Sequence, residues 1–341
     1  MRALLIVNPH ATSTTRLRRD VIVRALSSAV DLEVVETRYR GHATSLAAAA
    51  RADGLGLVLT LGGDGTVNEA VNGILSDGAA CGSPNAGARV AGPEGPVAGA
   101  EEPVAGAEGP VAGADRLPVL AALPGGNANV FTRAVGMPAD LVDAVGQVLD
   151  SLAKGRYRRI GVGLAGDRYF TFNAGLGLDA EVVRAVDGYR SSGGTASTAL
   201  YVRMTVRQFY LVTDRRHPAL TLERDGHPPV GPLYVGIVSN TSPWTFLGRR
   251  PVYTNPQAGF DSGLDLFALR SLSSASLFRT LSQMLSAGRP PRGRTVLTLH
   301  DQGELTLRST RPVAFQVDGE YMGEHEQVRF RSVPDALRII G

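Results

Sequence analysis

The first half of the chain alternates short apolar runs with amphipathic stretches. Residues 14–30, 43–52 and a stretch beginning at Thr66 carry apolar or alanine-rich faces at helical spacing. The apolar runs have the length and composition of buried strands, and they cover residues 2–8, 32–37, 55–61 and 117–123. Strands that alternate with helices are typical of a doubly wound parallel sheet. We therefore predict an α/β domain with such a sheet over residues 1–155.

The pattern changes after about residue 156. Residues 156–325 contain many short runs that read as strands, separated by turn residues, and only 196–211 and 274–287 have helical periodicity there. This pattern predicts a second, mostly antiparallel β-sandwich domain. The final segment, 326–341, ends in the apolar run DALRIIG, for which we predict a last strand that returns to the first domain.

A repeat interrupts the first domain. GPVAGAE, EPVAGAE and GPVAGAD follow one another over residues 95–115. Each copy contains a proline, which blocks a helix, and no large apolar residue except valine. Such a sequence cannot bury a core, so we predict a disordered surface loop at about 92–115.

Composition limits the class of protein. A length of 341 residues is typical of two domains, and no apolar run reaches the roughly 18 residues of a membrane span. Cys81 is the single cysteine, which excludes an intramolecular disulfide and a cysteine-based metal site. We therefore expect a cytoplasmic protein.

The positive charge comes almost entirely from arginine and is unevenly distributed along the chain. Lys154 is the only lysine, which argues against the phosphate-binding lysine of protein kinases and Walker-type NTPases. Residues 201–300 carry 12 arginines and 5 acids. This excess suggests phosphates, lipid head groups or nucleic acid as partners, although a solvated surface fits equally well.

The loop Gly62-Gly63-Asp64-Gly65-Thr66 joins a predicted strand to a predicted helix. Glycines there let the backbone approach a phosphate, and a helix N-terminus offers free N–H groups. Asp64 repels a bare phosphate, so it indicates a Mg²⁺ partner, a ribose hydroxyl or a proton to accept. The alternative is a tight turn with a polar cap.

The segment LGGDGTVNEAVNGI resembles the nucleotide-binding signature of the diacylglycerol kinase-like lipid kinase family, which includes diacylglycerol, sphingosine and ceramide kinases and bacterial relatives. Other segments resemble family motifs in the same order along the chain. They are VNP (7–9), TRYRGHA (37–43), PGGNAN (124–129), FDSGLD (260–265) and DGE (318–320).

The resemblance implies a cytoplasmic kinase that transfers the γ-phosphoryl group of ATP to a lipid hydroxyl, of diacylglycerol or sphingoid type, with Mg²⁺ as cofactor. The second domain would bind the lipid at a membrane surface, and a homodimer is compatible with the family. Glu320 would be the general base, Asp64 would contact Mg²⁺, and Asp261 would be a ligand of a structural Mg²⁺. The residues implied in nucleotide binding are Asn8, Thr37, Gly62, Gly63, Asp64, Gly65, Thr66, Asn68, Gly126, Asn127 and Asn129.

Three departures from the family pattern keep alternatives open. Asn127 stands where many members have Thr or Ser, Val130 where many bacterial members have Asp, and Ser262 where the metal stretch has a second Asp. A catalytically inactive lipid- or nucleotide-binding module is therefore one alternative. An NAD kinase-like phosphotransferase is another, because NAD kinases share the GGDG motif.

Two further expectations concern surfaces. No aromatic platform or nucleic-acid motif accompanies the arginines, so we expect no nucleic-acid partner. Arg203 and Arg207 lie four residues apart on the predicted helix 196–211, beside Tyr201, Phe209 and Leu211. This helix fits peripheral contact with a membrane, and packing against its own domain is the alternative.

Overall fold

The computed structural model of the chain describes residues 1–9, 16–76, 117–191, 198–208, 217–286 and 288–341. The repeat predicted to form a loop at 92–115 lies outside these residues, as do Phe209 and Leu211.

The first part is the predicted parallel α/β sheet. Its four strands pair in parallel in the order β4-β3-β1-β2, with α2 packed on α3 and α1 in contact with α5. Strands β3 and β4 are fully buried, which explains why their sequences are apolar apart from Thr60. The elements are β1 (Arg2–Val7), α1 (Arg16–Ser27), β2 (Asp31–Glu36), α2 (His42–Ala52), β3 (Leu57–Gly62), α3 (Asp64–Leu75), β4 (Val119–Pro124), α4 (Val130–Ala134) and α5 (Leu141–Ala153).

The second part is mostly antiparallel, as predicted, and its strands surround a core in which Phe330 packs edge-on against Phe170 and Phe315. The elements are β5 (Arg158–Ala165), β6 (Arg168–Phe170), β7 (Asn173–Gly177), α6 (Leu178–Ser191), α7 (Thr198–Arg207), β8 (Leu220–Arg224), β9 (His227–Leu233), β10 (Val235–Ser239), β11 (Thr245–Leu247), β12 (Arg250–Val252), β13 (Leu264–Leu269), α8 (Ser274–Met284), β14 (Val296–Gln302), β15 (Glu304–Val317) and β16 (Glu320–Ile340).

The long strand β16 connects the two parts. It pairs antiparallel with β15 and β5, and its last residues pair in parallel with β4, where Ile339 lies opposite Leu120. The described strands β14-β13-β10-β7-β15-β16-β4-β3-β1-β2 therefore form one hydrogen-bonded path. As a result, a single strand begins at Glu320, in the DGE segment, and ends inside the parallel sheet.

One helix was missed from the sequence. The prediction of helices only at 196–211 and 274–287 in the second part was wrong for α6. Its residues Leu178, Val182 and Val186 recur every four positions and are buried in a core shared with α7 and α8. Two adjacent valines and Gly188 lower its intrinsic helix propensity. The helix is therefore stabilised mainly by packing against the core.

In the described ranges, the structure contains no helix that is both long enough and apolar enough to cross a bilayer.

Candidate functional site

The loop from Gly62 to Thr66 connects β3 to α3. Gly63 is the N-cap residue of α3, and no side chain caps the helix there. The helix therefore begins at the carboxyl edge of the parallel sheet, and no capping side chain accepts a hydrogen bond from its first amides. An uncapped helix N-terminus at this edge is suited to bind an anion.

The loop after β4 packs directly against the first loop. The Gly125 amide donates to the Gly62 carbonyl over 2.9 Å. A Cβ on Gly125 would lie 2.7 Å from Gly62 N, and one on Gly126 would lie 2.7 Å from Gly63 Cα. Larger residues would force the two backbones apart, so the glycines are required by packing.

Asn129 stabilises this second loop. Its Oδ1 accepts from the Gly126 amide over 2.8 Å, and its Nδ2 donates to the Gly126 carbonyl over 2.7 Å. Asn129 has a φ of 48°, a left-handed conformation that asparagine tolerates better than most residues. Its side chain thus shapes the loop, whereas the resemblance implies that it contacts nucleotide.

Asp64 connects the two loops. Its Oδ1 accepts a hydrogen bond of 3.0 Å from the Phe131 amide, in the first turn of α4. Burial raises the pKa of Asp64 to about 6, and the negative charge of Asp318 adds to this effect. A carboxylate with such a pKa exchanges protons near neutral pH or binds a cation that offsets its charge.

The raised pKa of Asp64 gives a stability prediction. An ordinary aspartate in the unfolded chain ionises near pH 3.8, and folded Asp64 ionises near pH 6. Stability therefore falls as pH rises through this window, and the penalty is fully present above it. Asp64→Asn cannot ionise and keeps the acceptor for Phe131. We expect it to raise the free energy of unfolding of the ligand-free protein by about 2 kcal/mol above neutral pH.

Denaturant titrations of both proteins at acidic and at mildly alkaline pH measure this difference. At pH values below the unfolded pKa the variant and the wild type should be equally stable. If Asp64→Asn were less stable than wild type above pH 7, the charged form of Asp64 would be favoured by the fold.

Asp318 is a buried clamp between the two parts of the chain. Its Oδ2 accepts from Asn68 Nδ2 (2.8 Å), from the Thr171 amide (2.7 Å) and from Thr171 Oγ1 (2.8 Å). Its Oδ1 accepts from the amides of Phe172 and Asn173, over 3.0 and 3.1 Å. Burial raises the pKa of Asp318, and the hydrogen bonds from Phe172, Thr171 and Asn68 oppose that rise. Asp318 therefore fixes the turn that precedes Glu320.

Glu320 lies over the first turn of α3. The turn before it uses Asp318 and Gly319 at φ values of 47° and 75°. A Cβ on Gly65 would overlap Glu320 Oε1, so this oxygen occupies the space above Gly65. On the other side, Arg40 Nη2 and Arg168 Nη2 lie 3.3 and 3.7 Å from Glu320 Oε2. The fold thus brings a carboxylate from residue 320 to the GGDGT loop.

Three side chains at the site were not identified from the sequence. Arg168 donates to Asn68 Oδ1 through Nη2 and Nε, over 2.6 and 3.1 Å. Glu69 holds the 37–43 segment, since its two oxygens accept from the amides of Gly41 and Ala43. Arg40 and Glu69 lie within the quoted motifs, which gave a weak signal for them. No sequence motif pointed to Arg168, because its role depends on a contact with Asn68 in α3.

Of the remaining residues implied by the resemblance, three lie at the border of the site and one lies away from it. Asn8 Nδ2 donates to Thr66 Oγ1 over 3.3 Å, and the Thr37 amide donates to the Val7 carbonyl. Asn127 is exposed in the loop after β4, so these three residues border the site. Asp261 is exposed before β13 and is not brought to the site by any described contact. Among the described residues, no three His, Cys, Asp or Glu side chains group to hold a metal.

A parallel α/β sheet with a glycine-lined anion site at its edge, facing a carboxylate from a second β-rich part, defines a two-part phosphotransferase-like protein. Residues 2–165 match the model of the diacylglycerol kinase catalytic domain. A diacylglycerol kinase of Staphylococcus aureus is 24% identical over 333 residues, covering 95% of this chain and 87% of that protein.

Solved structures support the fold. A diacylglycerol kinase from Bacillus anthracis superposes with a TM-score of 0.63 at 17% identity, covering 99% of this chain and 96% of that one. Another chain from that organism gives a TM-score of 0.70 at 20% identity and the same coverage. Residues 2–165 thus match the catalytic-domain family that the motifs of this chain resemble, and the solved structures agree with this chain in fold over 99% of its length.

Proposed function

We propose that this protein is a cytoplasmic, ATP- and Mg²⁺-dependent kinase that phosphorylates the hydroxyl of a diacylglycerol- or sphingoid-type lipid. The observation that carries the proposal is the position of Glu320, whose Oε1 lies above Gly65 in the first turn of α3. Phosphoryl transfer to an alcohol needs a phosphate cradle and a nearby carboxylate to orient and deprotonate the acceptor. The site offers both.

The cradle in this proposal is the backbone of Gly63 and Gly65, held in place by the glycine contacts to Gly125 and Gly126. The Thr66 amide already donates to the Gly63 carbonyl over 3.0 Å. Asp64 fits a magnesium ion held mainly by phosphate oxygens and water, because such a site needs only one or two protein carboxylates. Desolvation of Asp64 also leaves its negative charge poorly compensated. When bound, Mg²⁺ would neutralise charge on the phosphates.

Glu320 takes the proton from the acceptor hydroxyl in this proposal. Arg40 and Arg168 hold its Oε2, which leaves Oε1 facing the first turn of α3. Asn68 acts as a positioning residue, since its side-chain amide is committed to Asp318 and Arg168. We therefore propose that Asn68 positions Glu320 through Asp318 and Arg168, and that it does not contact the nucleotide directly.

A screen with radiolabelled ATP tests the proposal. The acceptors are diacylglycerol, sphingosine, ceramide and phosphatidylglycerol, with NAD⁺ as a separate arm and EDTA as the metal control. Label in a lipid product that disappears with EDTA is expected. Label in NAD⁺ alone would instead assign an NAD kinase-like activity, and nucleotide binding without transfer would assign an inactive module.

Gly65→Ala tests the position of Glu320 without altering its chemistry. The new Cβ overlaps Glu320 Oε1 and must displace the carboxylate from α3. We expect kcat to fall by at least ~10-fold, towards the ~10²–10⁴-fold effect of removing a general base. The displaced atom is the end of a flexible side chain, and alanine favours a helix, so Tm should change little.

Gly146→Ala is the matched control, because its Cβ in α5 meets no atom within 4 Å. It should leave both kcat and Tm near wild type. Normal turnover by Gly65→Ala would show that Glu320 acts from another position or does not act as the base.

A further inference from the structure

Helix α8 has one broad apolar face, and only part of it is buried inside the protein. Thr280 and Met284 are buried, and Met284 belongs to the core shared with α6 and α7. Towards the solvent edge of this face, Phe278 is 78% exposed and Leu281 is 42% exposed. They lie three positions apart, so they form one stripe along the helix.

The hairpin of β11 and β12 lies at the C-terminal end of the same helix. Leu247, at the end of β11, is 40% exposed. The Tyr253 amide donates to the Met284 carbonyl over 2.7 Å, and Arg250 Nη2 lies 3.4 Å from the Leu285 carbonyl. These contacts fix the hairpin beside the C-terminal end of α8. We call Leu247, Arg250, Phe278, Arg279 and Leu281 the α8 surface.

The surroundings of the α8 surface are strongly basic. Residues 266–300 contain five arginines and no Asp, Glu or Lys, and Arg249 and Arg250 lie in the adjacent hairpin. In the described ranges all seven arginines are exposed, and none is paired with a carboxylate. The five are Arg270, Arg279, Arg289, Arg292 and Arg294.

The α8 surface lies on the same helical layer that flanks the candidate site. Helix α6 shares the core beneath α8 and also contacts the first residues of β16. Asp187 Oδ2 accepts from the Tyr321 amide over 3.2 Å, and Arg184 pairs with Glu324 over 2.8 Å. A partner that covers α8 would therefore approach the layer beside Glu320.

We propose that the α8 surface docks onto an anionic lipid bilayer, with Leu247, Phe278 and Leu281 entering the interface and the arginines contacting head-group phosphates. The proposal rests on the proposed function, whose acceptor is a membrane lipid. Binding to a membrane surface is stabilised by burial of apolar side chains and by attraction of basic side chains to anionic lipids. The α8 surface offers both, because its apolar side chains are surrounded by arginines. A second copy of the chain would bring like charges together, which disfavours a dimer at this face.

The interface expected on helix 196–211 stays a prediction, because Phe209, Leu211 and the side chain of Tyr201 lie outside the described residues. Within α7, Leu200 and Met204 are buried in the core beneath α8, although Arg203 and Arg207 are exposed. The described apolar side chains of α7 therefore pack on their own domain. On α8, by contrast, the apolar side chains of Phe278 and Leu281 are exposed.

Vesicle co-sedimentation of the full chain tests docking directly. The probes are phosphatidylcholine vesicles with and without phosphatidylglycerol, at low and high salt. We expect wild type to sediment with the anionic vesicles at low salt only. The double variant Phe278→Ser/Leu281→Ser should bind them at least ~10-fold more weakly, because it loses two apolar anchors. Arg279→Glu should weaken binding by more than ~5-fold.

Val142→Ser is the matched control, since Val142 on α5 is 62% exposed and lies outside the α8 surface. It should sediment as wild type does, and all variants should keep a wild-type Tm. Docking is overturned if wild type does not distinguish the two vesicle types. It is equally overturned if the double variant sediments like wild type, or if sedimentation equilibrium shows a dimer that the double variant abolishes without any change in vesicle binding.

Kinase assays separate this proposal from the proposed function. With acceptor lipid in anionic vesicles the double variant should be slow, and with short-chain acceptor dispersed in detergent it should match wild type. If no lipid is phosphorylated in either form but only wild type sediments with anionic vesicles, docking stands and the proposed function fails. If wild type phosphorylates lipid but the variant is equally fast on vesicles, docking fails alone.

Discussion

Glu320→Gln should lower kcat for the lipid acceptor by ~10²–10⁴-fold, the usual cost of removing a general base. Glutamine has nearly the same shape and keeps an oxygen acceptor for Arg40 and Arg168, but it takes up no proton. The substitution should therefore leave Mg-ATP binding and Tm near wild type. Single-turnover kinetics together with nucleotide titration measure the two effects separately.

Asp64→Asn provides the contrast. It should weaken Mg-ATP binding as well as turnover, because Asp64 is the carboxylate inside the nucleotide loop. Normal lipid turnover by Glu320→Gln would make Asp64 the better candidate for the base. Its pKa of about 6 already suits a group that accepts protons near neutral pH.

Asp318→Ala should destabilise the folded protein by about 3 kcal/mol or more, because each buried donor left without an acceptor costs about 1–3 kcal/mol. The alanine leaves five donors without their acceptor, namely Asn68 Nδ2, Thr171 Oγ1 and the amides of Thr171, Phe172 and Asn173. Denaturant unfolding measures the loss. Activity should fall too, because the turn that carries Glu320 loses its anchor.

Asp261→Ala is the control for this prediction. Asp261 is exposed and has no described contact with the site, so the change in unfolding free energy should be near zero. A large loss at Asp261 would support the structural Mg²⁺ ligand implied by the family resemblance. A small loss at Asp318 would show that the buried network contributes little to the fold.

The parallel sheet was predictable because its signals are local. Apolar runs such as 57–62 and the helical spacing after Asp64 follow directly from strand and helix geometry. Helix α6 was missed because its valines and Gly188 give weak propensity, and its apolar positions follow directly after strand β7. Its burial depends on α7 and α8, which no local pattern reveals.

The candidate site was predictable as a set of motifs but not as an arrangement. The sequence indicates that residues 62–66, 124–129 and 318–320 matter, and the structure brings them together. It does not indicate that Asn68 and Asn129 use their side chains within the protein, because those bonds depend on the fold. The pair Asn68–Asp318 joins positions 250 residues apart, so no spacing rule finds it.

Strand β16 has a consequence for synthesis. Its terminal pairing with β4 completes the parallel sheet only after nearly the whole chain has left the ribosome. Until then β4 is an unpaired edge with fully apolar faces, which is the type of edge that recruits other chains. Leu337, Ile339 and Ile340, which belong to the first core, are also missing during that interval. The growing chain therefore exposes this apolar edge until the residues of β16 that pair with β4 have been made.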